Sequence, residues 1–251
     1  MSESDGVLEM IELPSRGLLY GDALPDGKVM MSPMRTSDEK LLAGGGANRQ
    51  QLINTLIKRC LKTDVVPYNK LLIGDKTYLL LALRSISYGT YYEFKLACSS
   101  CGEQFIHGMD VPEDFEIRIL TEEDEATFSV DLPVSKKSVT LRRLLVEDED
   151  TIIKFLRREK LRSGRKAEGD PAYQMRIALA IVSIGEEEVE LKDALTFVEG
   201  LYGKDSLAIR NALDDNDCGV DIMLNLDCPH CGNPVDTMMP FTTEFFRPKS
   251  S

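Results

Sequence analysis

Two short cysteine motifs are the residues most able to do chemistry: Cys98-Ser99-Ser100-Cys101-Gly102 and Cys228-Pro229-His230-Cys231-Gly232. With six cysteines and 18 glycines in 251 residues, chance would supply only about 0.01 Cys-x-x-Cys-Gly runs per chain. The spacing has a chemical reason. Two intervening residues let both sulfurs face one ion while backbone N–H groups turn toward the thiolates. A glycine after the second cysteine permits the positive φ of so tight a turn, and Pro229 pre-sets φ inside it. Each pair also sits between strand-like runs, Tyr91–Ala97 to Phe105–Met109 and Asp221–Leu226 to Val235–Met239. Two such hairpin knuckles facing one ion make a zinc ribbon.

Cys98, Cys101, Cys228 and Cys231 would thus ligate a single zinc ion. Four thiolates close the tetrahedral shell and leave no position for water or substrate, so the metal would be structural. Because 126 residues separate Cys101 from Cys228, a clip across that loop is worth about 5 kcal/mol in the chain-entropy picture. Zinc would then fasten the second half of the chain to the first. The competing chemistries are a cycling dithiol, which usually occupies a helix N-terminus that neither pair has, and two disulfides, which a reducing compartment disfavours. Cys60 falls on an apolar helix face and reads as core, and Cys218 as a buried or half-buried thiol. His230 could replace a neighbouring cysteine as ligand, but it reads as pointing to solvent.

Other chemistry is hard to find. His107 and His230 are the only histidines, and neither has a nucleophile motif around it. Gly44–Gly46 lacks the following Lys-Ser or Lys-Thr of a phosphate loop and fits a helix stop. The acidic run Glu147–Asp150 suits the first turn of a helix, where it complements the dipole. Arg157, Arg158, Lys160, Arg162, Arg165 and Lys166 read as a solvated helix end and loop, or as a contact for an acidic partner surface. Phe241, Phe245 and Phe246 are either core or a hydrophobic hook for another subunit.

The elements that must carry the cysteines follow from periodicity. Residues 1–35 look extended and loop-rich. Thr36 with Glu39 makes a capping box for a short helix. A helix over 48–62 buries Leu52, Ile53, Leu56, Ile57, Cys60 and Leu61 on one face. Asp75 is read as the N-cap of a third helix closed by Gly89. After an acidic, proline-containing stretch at 110–133, a strand over 139–145 leads to a helix from Asp148. Asp170-Pro171 starts a nearly all-apolar helix to 184. Helices near 193–201 and 205–213 precede the strand at 221–226, and 247–251 read as loose.

The two halves resemble each other. At an offset of 110, Val29, Met31, Met34, Asp38 and Glu39 align with Val139, Leu141, Leu144, Asp148 and Glu149. At 130, Asp75, Leu79, Phe94, Leu96, Cys98, Cys101 and Gly102 align with Asp205, Ile209, Leu224, Leu226, Cys228, Cys231 and Gly232. The expected class is α+β: two mostly helical halves, 1–133 and 134–251, joined through a β-hairpin zinc ribbon, with internal duplication.

Composition narrows the function. A net charge of -12 opposes broad phosphate binding and anionic membrane surfaces. The opening MSESDGVLEM lacks the basic and apolar regions of a signal peptide, and the longest apolar run is far short of a membrane helix. The expectation is a soluble intracellular protein. Several stretches resemble the baseplate hub proteins of T-even-like contractile-tailed phages: Leu13-Pro14-Ser15-Arg16-Gly17 with Tyr20, Thr36 with Asp38-Glu39, and Leu83-Arg84-Ser85 with Ser87-Tyr88-Gly89 leading into the first cysteine pair. That resemblance implies a non-enzymatic hub component or hub assembly factor. It would contact other baseplate and tail proteins, without nucleic acid or membrane, in the virion tail or in the host cytoplasm during assembly. An oligomer within the baseplate would fit this role. The alternative is a zinc-ribbon module of a nucleic-acid-processing machine. Glu103, Asp110, Asp227 and Asp236 around the knuckles oppose it, since a gripping ribbon needs Lys, Arg and aromatics there.

Overall fold

The computed structural model describes residues 7–43, 49–63, 66–163 and 171–248. The expected helix stop at Gly44–Gly46, Asp170 at the start of the fifth helix, and Arg165 and Lys166 of the basic run lie outside these. The class is α+β, built from small antiparallel sheets and helices.

The chain opens with a hairpin, β1 (Glu9–Glu12) against β2 (Lys28–Met31). Three helices follow: α1 (Thr36–Ala43), α2 (Arg49–Cys60) and α3 (Ile73–Tyr88). Gly89, at φ 86°, ends α3 by donating to Ser85, the conformation only glycine adopts without strain. The first cysteine hairpin is β3 (Tyr91–Ala97) with β4 (Gln104–Asp110). A short β5 (Ile117–Arg118) precedes a second plain hairpin, β6 (Thr127–Asp131) with β7 (Ser138–Arg142).

Next come α4 (Val146–Ser163) and α5 (Pro171–Ala180), then β8 (Ile181–Ile184) and β9 (Glu187–Glu188). These two strands extend β6–β7 into a four-stranded sheet, and α6 (Leu191–Glu199) and α7 (Gly203–Asn216) follow. A short β10 (Gly219–Val220) pairs with β5. The chain then forms the second cysteine hairpin, β11 (Met223–Asp227) with β12 (Pro234–Met238), and closes with α8 (Thr243–Phe246).

Three sequence expectations are corrected here, and one stretch given no element is resolved. The apolar run 171–184 splits into α5 and β8. Ile181-Val182-Ser183-Ile184 is β-branched enough to prefer the pleated edge of β7 over another helical turn. The stretch 110–133 holds β5 and β6, the latter alternating Phe128 and Val130 inward. Asp75 is no N-cap. It is the third residue of α3, fully buried, and its carboxylate takes the Ser15 N–H at 2.9 Å and the Tyr20 hydroxyl at 2.5 Å. Nor does Thr36 with Glu39 cap α1. Asp38 reaches back to the Arg35 N–H at 2.8 Å, while Glu39 accepts from Tyr88.

Two cores support these elements. The larger gathers Leu13, Met31, Leu56, Ile57, Leu79 and Leu83 with Tyr92, Phe94, Phe245 and Phe246, and the smaller gathers Leu132, Val139, Leu141, Ile177, Ala180 and Ile209. The C-terminal phenylalanines are therefore core, Phe245 meeting Tyr92 edge-on at 5.1 Å. Arg247, expected to be loose, lies 3.7 Å from Glu39.

Local geometry recurs between the halves. Leu13 N–H bonds across its hairpin to Gly27 O, and Leu132 N–H to Lys137 O. Asp75 holds the N–H of Ser15; Asp205, also third in its helix, holds those of Val134 and Ser135 at 2.7 and 3.0 Å. Asp38 holds the N–H of Arg35, and Asp148 that of Leu145. The halves meet where Ile73 and Val146 donate to Leu144 and Leu71. The acidic start of α4 reinforces that seam: Glu147 pairs with Lys70 and Glu149 with the buried Lys76.

Candidate metal centre

Each cysteine pair occupies the turn of a regular hairpin. The β3–β4 ladder runs in unbroken register to Ala97 opposite Gln104, and β11–β12 to Asp227 opposite Pro234. The two turns then close identically. Cys98 N–H donates to Glu103 O and Gly102 N–H to Cys98 O, both at 2.9 Å. Cys228 N–H donates to Asn233 O at 2.9 Å and Gly232 N–H to Cys228 O at 2.8 Å. Gly102 and Gly232 have φ 78° and 70°, so the glycine expected from the motif is required by the backbone.

The fold brings the two turns together. Cys98 Sγ lies 3.7 Å from Cys231 Sγ, and Cys101 Sγ lies 3.8 Å from Cys228 Sγ. All four sulfurs fall within 4.8 Å of one another. A tetrahedron of thiolates around one ion at about 2.3 Å has sulfur edges near 3.8 Å, so the donor set and its dimensions fit zinc. A disulfide needs sulfurs about 2.05 Å apart, and all six cysteines are free. No other group of three or more His, Cys, Asp or Glu side chains converges in this way among the described residues. His230 is exposed, its Nε2 3.3 Å from Gln104 O.

Burial and charge agree with a cation site. Cys98 and Cys228 are buried, packed with Phe105, Val235 and Leu96, while Cys101 and Cys231 face outward. The N–H groups of Cys101 and Ser100 pull the Cys98 thiol down to about 6. Cys101 goes the other way, to about 12: the Glu103 N–H opposes the rise, but burial and three neighbouring sulfurs outweigh it. The Asn233 N–H and Cys101 oppose a rise at Cys231, but burial with Cys228 and Cys98 outweighs them and raises it. Sulfurs this crowded cannot all ionise alone, and a divalent cation removes that conflict.

The hairpins are also tied together away from the sulfurs. Tyr92 on β3 donates to Pro240 O at 2.8 Å, beyond β12, and its ring meets Phe245. Buried Arg84 on α3 fixes the approach to β3 by donating to Gly89 O at 2.6 Å and Tyr91 O at 2.8 Å. Neither contact was visible in the motif, because each joins residues unrelated in local pattern. Cys60 and Cys218 lie elsewhere as buried thiols. Burial pushes Cys60 up to about 11 and Cys218 well above the ordinary thiol range.

The remaining candidates serve as structure or lie at the surface. Asp148 chelates Arg142 through two bonds of 2.8 and 2.9 Å. Arg157, Arg158 and Lys160 are exposed near the end of α4. No helix among the described residues is long and apolar enough to cross a membrane. Residues 20–247 match a family model described as T4 bacteriophage base plate protein. No curated protein and no solved structure matches the chain.

Proposed function

The chain belongs to the T4 bacteriophage base plate protein family, and from that premise we propose that it is a non-enzymatic part of the tail baseplate hub, or a factor that assembles the hub, stapled by one structural zinc ion. Membership implies a structural role in the baseplate, contact with other baseplate and tail proteins, and a place in the virion tail. The hub assignment is the finer step. It is supported by the likeness of the Leu13–Gly17 and Leu83–Gly89 stretches to hub proteins. Assembly would begin in the host cytoplasm, and an oligomeric arrangement within the baseplate is compatible with this role.

Zinc on Cys98, Cys101, Cys228 and Cys231 would hold two hairpins from distant parts of the chain at fixed spacing and perform no turnover. We further read the two halves as duplicated, each running plain hairpin, helices, then cysteine hairpin. The paired Asp75 and Asp205 clamps and the matching cysteine turns support that reading. It places the 1–133 and 134–251 units around one shared ribbon, the second unit opening with the β6–β7 hairpin that straddles the division.

The family match over 20–247 is the observation that carries the baseplate reading. The test is co-expression of the tagged full-length chain with neighbouring tail genes, followed by pull-down. Recovery of defined tail proteins is the expected result. Recovery of polymerase or nucleic acid instead would favour the ribbon of a nucleic-acid machine and overturn the proposal, although the knuckle neighbours Glu103, Asp227 and Asp236 argue against that outcome.

A further inference from the structure

The two halves share a backbone seam that the chain uses only once. Leu71–Ile73, leading into α3, pairs antiparallel with Leu144–Val146, leading into α4, with Leu72 opposite Leu145. Ile73 N–H donates to Leu144 O at 3.1 Å, and Val146 N–H to Leu71 O at 2.9 Å. The repeat gives each side a counterpart. At the offset of 130 Leu71–Ile73 becomes Leu201–Gly203, and at 110 Leu144–Val146 becomes Met34–Thr36. Local backbone agrees with the numbering. Leu72 at φ -64°, ψ 147° and Tyr202 at φ -69°, ψ 150° each precede the first residue of their helix. Leu71 N–H donates to Tyr68 O and Leu201 N–H to Val198 O, both at 3.2 Å.

The counterparts are unpaired. Among the described residues the Leu201 carbonyl, the Gly203 N–H, the Met34 carbonyl and the Thr36 N–H form no hydrogen bond. Helix ends often leave such groups to water. These are set apart because the equivalent groups of the other repeat bind one another. Exposure divides in the same way. Leu72 and Val146 are each 2% exposed, whereas Tyr202 is 61% exposed and Thr36 lies at the surface. The first clamp is also covered, since Leu120 N–H donates to Pro14 O at 2.9 Å and Leu120 and Leu145 share a cluster with Leu72. Around the second clamp Pro133, Val134, Tyr202 and Leu207 stay exposed.

We infer that Leu201–Gly203 receives Met34–Thr36 of a second copy of this chain, in the antiparallel pairing that already joins the halves. Gly203 N–H donates to the Met34 carbonyl of the second copy, whose Thr36 N–H donates to the Leu201 carbonyl, and the Tyr202 ring is covered. A second copy is the occupant because the chain itself carries the matching edge, exposed and unused, in the half where the repeat puts it. The contact joins two different surfaces, so assembly runs head to tail and either closes into a ring or extends. The inference rests on the likeness of the halves proposed above, and on neither the zinc nor the baseplate reading.

Proline separates this contact from folding. Thr36 and Gly203 are the first residues of α1 and α7, where proline removes an N–H that the helix does not use. Tyr202 already has the extended backbone that a following proline requires, and a Cβ at Gly203 meets nothing within 4 Å. Sedimentation velocity on the purified full-length chain should show wild type passing from monomer to larger species as concentration rises. T36P and G203P should each self-associate about tenfold or more weakly, with wild-type thermal melts. Tyr202→Glu, a surface change, should weaken association in the same way. Mixed in equal amounts, T36P and G203P should form a heterodimer and nothing larger, because each keeps the edge that the other lacks. A wild-type chain that stays monomeric would overturn the inference. So would unaltered self-association of the variants, or a mixture that fails to pair.

Discussion

Replacing both cysteines of the second turn, Cys228→Ser with Cys231→Ser, should lower stability far more than a change at two hairpin turns ordinarily would. The clip bridges 126 residues, which sets an upper value of about 5 kcal/mol from loop closure. If the unfolded chain releases the metal, mass action governs instead, giving about 2.7 kcal/mol when free zinc is 100-fold above its dissociation constant. A chain of this size shifts its melting temperature by about 2–4 °C per kcal/mol, so the fall should lie at roughly 6–20 °C. Below the transition the fold should persist, because Tyr92, Pro240 and Phe245 hold the hairpins together without the sulfurs. Calorimetry would compare wild type with zinc, wild type after chelation, and the double-serine protein. The last two should melt together, with far-UV circular dichroism unchanged well below the transition. Three coincident melting temperatures would refute the staple.

Other outcomes follow from the cores and the seam. Glu149→Gln alone should cost about 3 kcal/mol, because it strands the buried Lys76 ammonium, whereas Lys76→Met with Glu149→Leu should recover most of that loss in urea titrations. Phe245→Ala should cost about 3–5 kcal/mol by leaving a cavity among Tyr92, Phe241 and Phe246, measured in the same way. Asp75 and Asp205 should have opposite pH signatures. Burial raises the Asp75 carboxyl despite the Ser15 and Tyr20 bonds, so the folded state binds its proton first and this contribution grows as pH falls from the folded value toward the unfolded one. Burial also works against Asp205, but the Val134 and Ser135 N–H groups win and lower it, so its contribution fades as pH falls through the folded value. Stability–pH curves of Asp75→Asn and Asp205→Asn should therefore depart from wild type with opposite slopes in acid.

The cysteine turns were legible because their chemistry is local: two residues between sulfurs and a glycine at positive φ leave a signature in five consecutive positions. Gly89, Pro171 and the Leu56–Ile57–Cys60 face were readable for the same reason. Where reading failed, a distant partner had decided. Asp75 carries the composition of an N-cap, yet its carboxylate is claimed by Ser15 and Tyr20, some sixty residues away in sequence. Ile181–Ile184 continues an apolar pattern that fits a buried helix until β7 offers it a ladder. Leu13-Pro14-Ser15 and Leu132-Pro133-Val134 match in role, but their offset differs from both offsets of the aligned repeat, so the second clamp could not be seen by sliding the sequence on itself.

Zinc K-edge X-ray absorption on protein expressed without a chelating tag tests the central claim most directly. One zinc per chain with four sulfur scatterers at about 2.3 Å is the predicted spectrum. A metal-free chain, or a zinc coordinated by nitrogen and oxygen, would contradict it.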